Sequence, residues 1–422
     1  MLSEVNQVVV SEDKIEKQYT DFPYPEPIDD MLGMLKRGYR QGSFPNDIWP
    51  KLFPEKDYTA DLTVLIAGCG TNQAIAHALA FPNSEHYAID VSEKSLEHVA
   101  KQIKKYGIKN LEIEKKDICD LQAKEQFDYV ASTGVIHHTE DPQASLTKLV
   151  EATKEEGALY IMVYASYLRF GLYYLQDAFK YLSLKPNEES IKAAKQLIEL
   201  LPDYHYAHNY INAAKTGTKD LTFDGGFVDT FFNARDVAFD IFGLKQLIEN
   251  AGAYFQCWGD NPYYYRPLFS FHPDGTLQKA YKLLDPWQLA DFTQKIAPNQ
   301  GKLTFTLRKQ PSYENIFFDI SEVSLDTYAS PIGISLENLS VSQNSGGTIG
   351  TEQYKRKLTI RERIIWDSLN GNVADILKKS NSSAETHGIP ERHTFHSLRE
   401  FLHEFWKRGF VNFAKTPWDK GL

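Results

Sequence analysis

The sequence predicts an α/β fold: a doubly wound parallel sheet with a helical insertion and a small, mostly helical C-terminal unit. Three observations point there. Strand-like and helix-length runs alternate between residues 61 and 165, as in sheets built by right-handed crossovers. The first strand-like run enters a glycine turn, "VLIAGCGTN" (64–72). The next two end in acids, Asp90 and Asp117, in register behind that turn.

Strands are expected at "TVLIAG" (63–68), "EHYAID" (85–90), "LEIEKKDI" (111–118), "FDYVAST" (127–133) and "GALYIMVYA" (157–165), with helices at 72–81, 93–105 and 142–154. The last helix carries Asp141 as N-cap, Pro142 at the first position and Gly157 near its stop. Residues 167–215 read as two or three helices and "TFDGGFVDTFFNARD" as a loop. "FGLKQLIENAGA" then reads as a helix, and "YFQCW" and "KLTFTLRK" as late strands that finish the sheet. Residues 167–230 are thus an insertion over one sheet end, acting as a lid.

A polar stretch at 336–353 reads as a linker. Beyond it, Ile360, Ile364, Ile365 and Leu369, then Phe395, Leu398, Phe401, Leu402 and Phe405, recur at helical spacing. With "GFVNF" as a closing strand, they predict a winged-helix-like unit. The domain reading is therefore a segment 1–60 capping the site, a core 61–310, and an accessory unit 311–422.

Composition narrows the function. The chain has 422 residues, 42% hydrophobic and 24% charged, with net charge −10. No long Lys/Arg run appears, which argues against nucleic acid binding. Cys69, Cys119 and Cys257 have no metal spacing, so no metal site is expected and a reducing, cytoplasmic setting is. The first residues are acidic where a signal peptide needs base. The longest apolar region, around "YIMVYASYLRFGLYYL", is broken by Arg169 and rich in tyrosine, so no membrane span is expected. Nothing sets an oligomeric state.

The turn around Ala67, Gly68, Cys69 and Gly70 leaves three ligand classes open. A phosphate-binding loop would end in Lys-Ser/Thr, which is missing here. A dinucleotide fold wants glycine at 73, where Gln73 stands. Asp90 can accept both hydroxyls of a ribose, which dinucleotide and S-adenosylmethionine sites share. Asp117 and Ile118 are placed to bond and sandwich an adenine.

These motifs, in this order, resemble the core of class I S-adenosylmethionine-dependent methyltransferases over 61–165. "VLIAGCGTN" is similar to their first motif, "AIDVS" (Asp90, Val91) to the second, "KKDI" to the third and "FDYVASTGVIHHTEDP" to the fourth. The resemblance implies a seven-stranded Rossmann-like sheet and S-adenosyl-L-methionine as cofactor, held also by Ser132, Thr133 and Gly134. "KQYTDFPYPEP" (17–27) resembles a Tyr/Pro-rich segment of some bacterial members, implying that it folds over the cofactor with Tyr19 near the sulfonium. The chain departs from the pattern at Ile66, where an acid is common, and at Asn72, where a third glycine is usual.

No base-amine box follows the fourth strand and no Pro-Cys nucleophile occurs, so nucleobase methylation is demoted. His137 and His138 lie at the sheet's carboxyl edge, where an imidazole serves as a base near neutral pH. His205, His208, Asp224 and the tyrosines of "NPYYYRP" (261–267) are weaker acceptor-pocket candidates. The expected activity is methyl transfer to a small molecule or a peptide or protein side chain. The alternatives are a non-catalytic interaction protein on this scaffold and a dinucleotide-dependent oxidoreductase.

Overall fold

Four apolar residues in a row, Val64 to Ala67, form a strand because both of its faces are buried. In the computed structural model, β1 (Thr63–Ala67) sends Leu65 and Ala67 into one hydrophobic cluster and Val64 and Ile66 into another. The period-two pleat separates them. The structure describes residues 14–217, 220–265, 275–298, 301–311, 319–331, 348–351, 354–389 and 392–417. Most of the expected linker (336–347 and 352–353), together with Arg266 and Pro267, lies outside the described residues.

Around β1 lie β2 (Glu85–Asp90), β3 (Leu111–Lys115), β4 (Phe127–Thr133), β5 (Thr153–Tyr164), β6 (Tyr254–Trp258) and β7 (Lys302–Arg308). The order is β3-β2-β1-β4-β5-β7-β6. β1 to β5 run parallel, and β7 is antiparallel to both β5 and β6. Strand order reverses between β1 and β4, so a crevice opens at their carboxyl ends.

The N-terminal segment contributes α1 (Lys14–Asp21), α2 (Met31–Lys36) and α3 (Pro45–Leu52). The crossovers are α4 (Gln73–Ala80), α5 (Glu93–Tyr106) and α6 (Pro142–Ala152). Asp141 caps α6 through the Ala144 amide with Pro142 at its start, as expected. The helix nevertheless ends at Ala152, and Gly157 is no helix stop. Residues 153–157 belong to β5, whose register against β4 shifts between Phe127 and Tyr129. A Cβ on Gly157 would meet Thr153 Cγ2 at 2.7 Å and the Asp128 carbonyl at 2.9 Å, so the irregularity needs glycine.

The insertion holds α7 (Ser166–Tyr181), α8 (Glu188–Glu199), α9 (Ala207–Gly217) and α10 (Asp224–Phe231). The expected loop at 222–236 is thus largely a helix. Gly225 and Gly226 weaken its intrinsic propensity. Packing overrides this, since a Cβ on Gly226 would strike the Asp220 carbonyl at 2.2 Å and one on Gly225 the Pro23 carbonyl at 2.8 Å. Phe227, Val228 and Phe231 join Leu172, Leu175, Phe179 and Ile211 in a core of the insertion's own, and Phe22 packs against it.

After α11 (Ile241–Asn250) come α12 (Pro262–Tyr265), α13 (Thr276–Tyr281) and α14 (Pro286–Ile296). The C-terminal unit has β8 (Tyr328–Pro331), β9 (Thr348–Thr351), β10 (Tyr354–Lys357), α15 (Ile360–Asp367), β11 (Gly371–Asn372), α16 (Val373–Thr386), α17 (Phe395–Lys407) and β12 (Val411–Ala414). Among the described residues it is mostly helical, as expected, with a small sheet in the order β11-β8-β12. The boundary at 311 is not a gap in packing. Trp366, Phe405 and Trp406 share one buried cluster with Phe305 and Trp258 of the main sheet. Tyr265 stacks on Trp406 at 5.3 Å, and Asn261 Nδ2 donates to the Trp406 carbonyl at 3.0 Å.

Candidate active site

The crevice is a cavity of about 710 Å³. The turn after β1 forms one wall, but its amides point back into the protein. Gly68 N and Cys69 N donate to the Ile89 carbonyl at 2.9 and 3.0 Å, and Gly70 N donates to Asp90 Oδ2 at 2.8 Å. The glycines have a steric reason. Gly68 (φ +74°) and Gly70 (φ +52°) adopt left-handed conformations. A Cβ on Gly68 would strike Val135 Cγ2 at 2.3 Å, and one on Gly70 the Tyr24 carbonyl at 2.9 Å. The bare edge therefore faces both the cavity and the N-terminal segment.

Asn72, the departure from the glycine pattern, holds that segment. Its Nδ2 donates to the Glu26 carbonyl at 2.8 Å, and its Oδ1 accepts from Ile28 N at 2.9 Å. Thr71 Oγ1 adds a bond to the Pro25 carbonyl at 2.7 Å. The other departure, Ile66, is fully buried in the sheet's second cluster. Gln73, at the position of a dinucleotide fold's third glycine, lines the cavity and donates to Ser43 Oγ at 3.0 Å.

Asp90 ends β2, with Oδ1 accepting from Ser92 N at 2.8 Å. Burial pushes its carboxyl above the usual range, while the amides of Ser92, Gly70 and Val91 pull against it. Asp117 Oδ1 accepts from Cys119 N at 2.7 Å, so the expected strand 111–118 ends at Lys115 and turns there. Asp90, Val91, Asp117, Ile118, Thr133 and Gly134 all line the cavity, with Gly68, Cys69 and Gly70. Ala67 and Ser132 are fully buried strand residues outside its lining.

Part of the cavity lining is aromatic. Tyr19 donates to Asp229 Oδ1 at 2.6 Å, Tyr164 to Asp229 Oδ2 at 2.9 Å, and Tyr24 to Asp220 Oδ1 at 3.1 Å. Burial, with the charge of Asp229, raises the Tyr19, Tyr24 and Tyr164 phenols well above their usual range, so they remain donors. Arg169 lies over the Tyr164 ring at 3.6 Å and pairs with Asp236 at 2.7 Å.

The two histidines part company. His138 lines the cavity; His137 does not. His137 is fully buried against Tyr164, ring centroids 3.8 Å apart. Burial first, then His138 and Arg169, hold it well below the ordinary histidine range, so it stays neutral. A direct catalytic part for His137 is therefore withdrawn. The weaker candidates also lie elsewhere. His205 Nδ1 accepts from Ala207 N at 3.1 Å, His208 bonds the Pro202 carbonyl, and Asp224 pairs with Lys195. Tyr264 and Tyr265 are core residues.

Sequence reasoning missed Asp229, Asp220, Tyr164, Tyr210 and Arg169. Only Tyr164, at the carboxyl end of a strand-like run, carried a local signal. Among the described residues, no group of three or more His, Cys, Asp or Glu side chains is arranged to hold a metal ion. No described helix is long and apolar enough to cross a membrane.

This sheet order, with its one antiparallel strand, and a crevice behind a glycine turn define the class I methyltransferase fold. Residues 59–168 match the family model described as a methyltransferase domain, so the chain carries a methyltransferase domain there. PKMT2 from Rickettsia typhi superposes with TM-score 0.62 at 16% identity, over 90% of this chain and 77% of that one. Its complex with AdoHcy does so at 0.62 and 14%, over 89% and 76%. An uncharacterized protein from Synechococcus sp. is 25% identical over 258 residues, 59% of this chain. The match spans 60% of that relative's length.

Proposed function

We propose that this protein transfers a methyl group from S-adenosyl-L-methionine to a small molecule or to a side chain of a peptide or protein. The carrying observation is one cavity lined by Gly68, Gly70, Asp90 and Asp117 together with Tyr19, Tyr164 and His138. In this reading Asp90 takes the ribose hydroxyls, Asp117 and Ile118 flank the adenine, and Thr133 and Gly134 face the methionine portion. The donor set supports the fit, because the carboxylates of Asp90 and Asp117 line the same cavity as the glycine turn.

The cofactor supplies an electrophilic methyl on a good leaving group. The protein's part is positioning, exclusion of water and removal of an acceptor proton. His138 is the candidate base. Calorimetry with S-adenosylmethionine, S-adenosylhomocysteine and NAD tests the reading. Binding of the first two supports it, NAD alone would favour an oxidoreductase, and none would favour an interaction scaffold. Mass spectrometry of cell extract incubated with labelled cofactor then identifies the acceptor.

A further inference from the structure

We propose that Arg40, in the N-terminal segment, takes the carboxylate of the cofactor's methionine portion; the inference rests on the methyl-transfer reading above. The cations that line the cavity point to it. Lys115 pairs with Glu16 at 2.6 Å, Lys116 with Glu114 at 2.8 Å and Arg169 with Asp236 at 2.7 Å. Arg235 Nη1 donates to the His138 carbonyl at 3.3 Å. Arg40 and Lys302 line the same cavity and pair with no carboxylate among the described residues. Arg40 is exposed, and its Nη1 donates to the adjoining Tyr39 carbonyl at 3.0 Å, which leaves its other N–H groups for a ligand.

The fold sets these two cations apart. Lys302, at the start of β7, stands opposite Tyr164 of β5 in the ladder. A Cβ on the preceding Gly301 would meet Arg169 Cγ at 3.1 Å and Tyr210 Cε2 at 3.2 Å. Arg40 belongs instead to a stretch fastened at the carboxyl end of β4. Gln73 Nε2 donates to Ser43 Oγ at 3.0 Å and to Thr133 Oγ1 at 3.3 Å, so one amide spans the segment and that strand end. Tyr129 Oη donates to the Ser43 carbonyl at 2.6 Å. A Cβ on Gly42 would meet Tyr160 Oη at 2.6 Å, so the chain lies close against β5 there. Thr133 and Gly134 face the methionine portion in the reading above, and Arg40 is the uncommitted cation on the stretch that Gln73 ties to Thr133.

The chemistry calls for such a residue. The methionine portion is a zwitterion, and a charge taken out of water is costly unless it is paired. Ile66 stands where an acid is common and is buried in the sheet, so it offers the ammonium nothing. The carboxylate is then the charge by which this chain can grip that portion. A guanidinium suits it, since its planar fork meets both carboxylate oxygens at once. The same contact makes the N-terminal segment part of the cofactor site.

The test is calorimetry on the full chain with two probes. One is S-adenosylhomocysteine; the other is its decarboxylated analogue, which keeps the nucleoside, thioether and amine and lacks only the carboxylate. Wild type is expected to prefer the first by roughly 10- to 100-fold, the range for hydrogen bonds to a charged group. Arg40→Gln is expected to erase that preference while binding the analogue as wild type does, and Arg40→Lys to recover part of it. Lys302→Gln is expected to keep the preference. Equal affinity of wild type for the two probes overturns the proposal and needs no variant to fold. So does Arg40→Gln that weakens both probes alike or neither, and so does loss of the preference in Lys302→Gln instead. Wild type that binds neither probe removes the methyl-transfer reading itself, an outcome distinct from binding without carboxylate preference.

Discussion

Replacing Asn72 with alanine isolates the tether between the glycine turn and the N-terminal segment. The side chain is 3% exposed and makes two hydrogen bonds to that segment, at 2.8 and 2.9 Å. Each is worth about 0.5–1.5 kcal/mol net, so about 1–3 kcal/mol is removed from the closed state. The bond from Thr71 to Pro25 and that from Ser92 Oγ to the Tyr19 carbonyl at 2.9 Å remain. Loss should therefore appear as local opening and not as unfolding. At about 1.4 kcal/mol per decade, exchange of the Ile28 amide and its neighbours should rise roughly 5- to 150-fold. Hydrogen–deuterium exchange of peptides covering 14–30, against peptides of β1 and β4 as internal reference, measures it. Affinity for S-adenosylhomocysteine should respond less, because apparent affinity falls only as the closed fraction falls. Unchanged exchange across 14–30 would refute the tether and leave Asn72 as turn packing alone.

Asp90→Asn should weaken S-adenosylhomocysteine binding by about 1.5–3 kcal/mol, the range for a hydrogen bond to a charged group, as read by calorimetry. Asp90→Ala should also destabilise the fold, since the Gly70 and Ser92 amides lose their acceptor. Burial lowers His86 to about 4, so between the unfolded histidine value and 4 the unfolded chain binds the extra proton. Stability is then complete above about pH 6.5 and falls on acidification, by about 3 kcal/mol in full. Urea midpoints at pH 7.5 and 5 should differ less in His86→Gln than in wild type. Trp406→Ala should cost about 3–5 kcal/mol and still give one unfolding transition, because its cluster is shared with the main sheet. Two separate transitions in calorimetric scans would show that the C-terminal unit is an independent domain.

What the sequence alone determined is what local pattern encodes. Strands β1 to β4 and helices α4 and α5 could be read within a few residues, because apolar runs, caps and turn glycines act over one element. Asp90 and Asp117 were legible for the same reason: the end of a strand in an α/β sheet is a place that sequence order defines. Tertiary structure decided the rest. His137 and His138 are adjacent and chemically identical, and only the path of their turn sends one to the cavity and the other behind Tyr164. α10 forms against its Gly-Gly propensity because those glycines pack on backbone from Asp220 and Pro23. Asp229 meets Tyr19 across 210 positions of chain, a partnership that no local periodicity can encode. The aromatic lining of the cavity is assembled from the N-terminal segment, β5 and the insertion. Each piece reads as ordinary packing until burial leaves a carboxylate that accepts from Tyr19 and Tyr164 of the other two, as well as from Asn233.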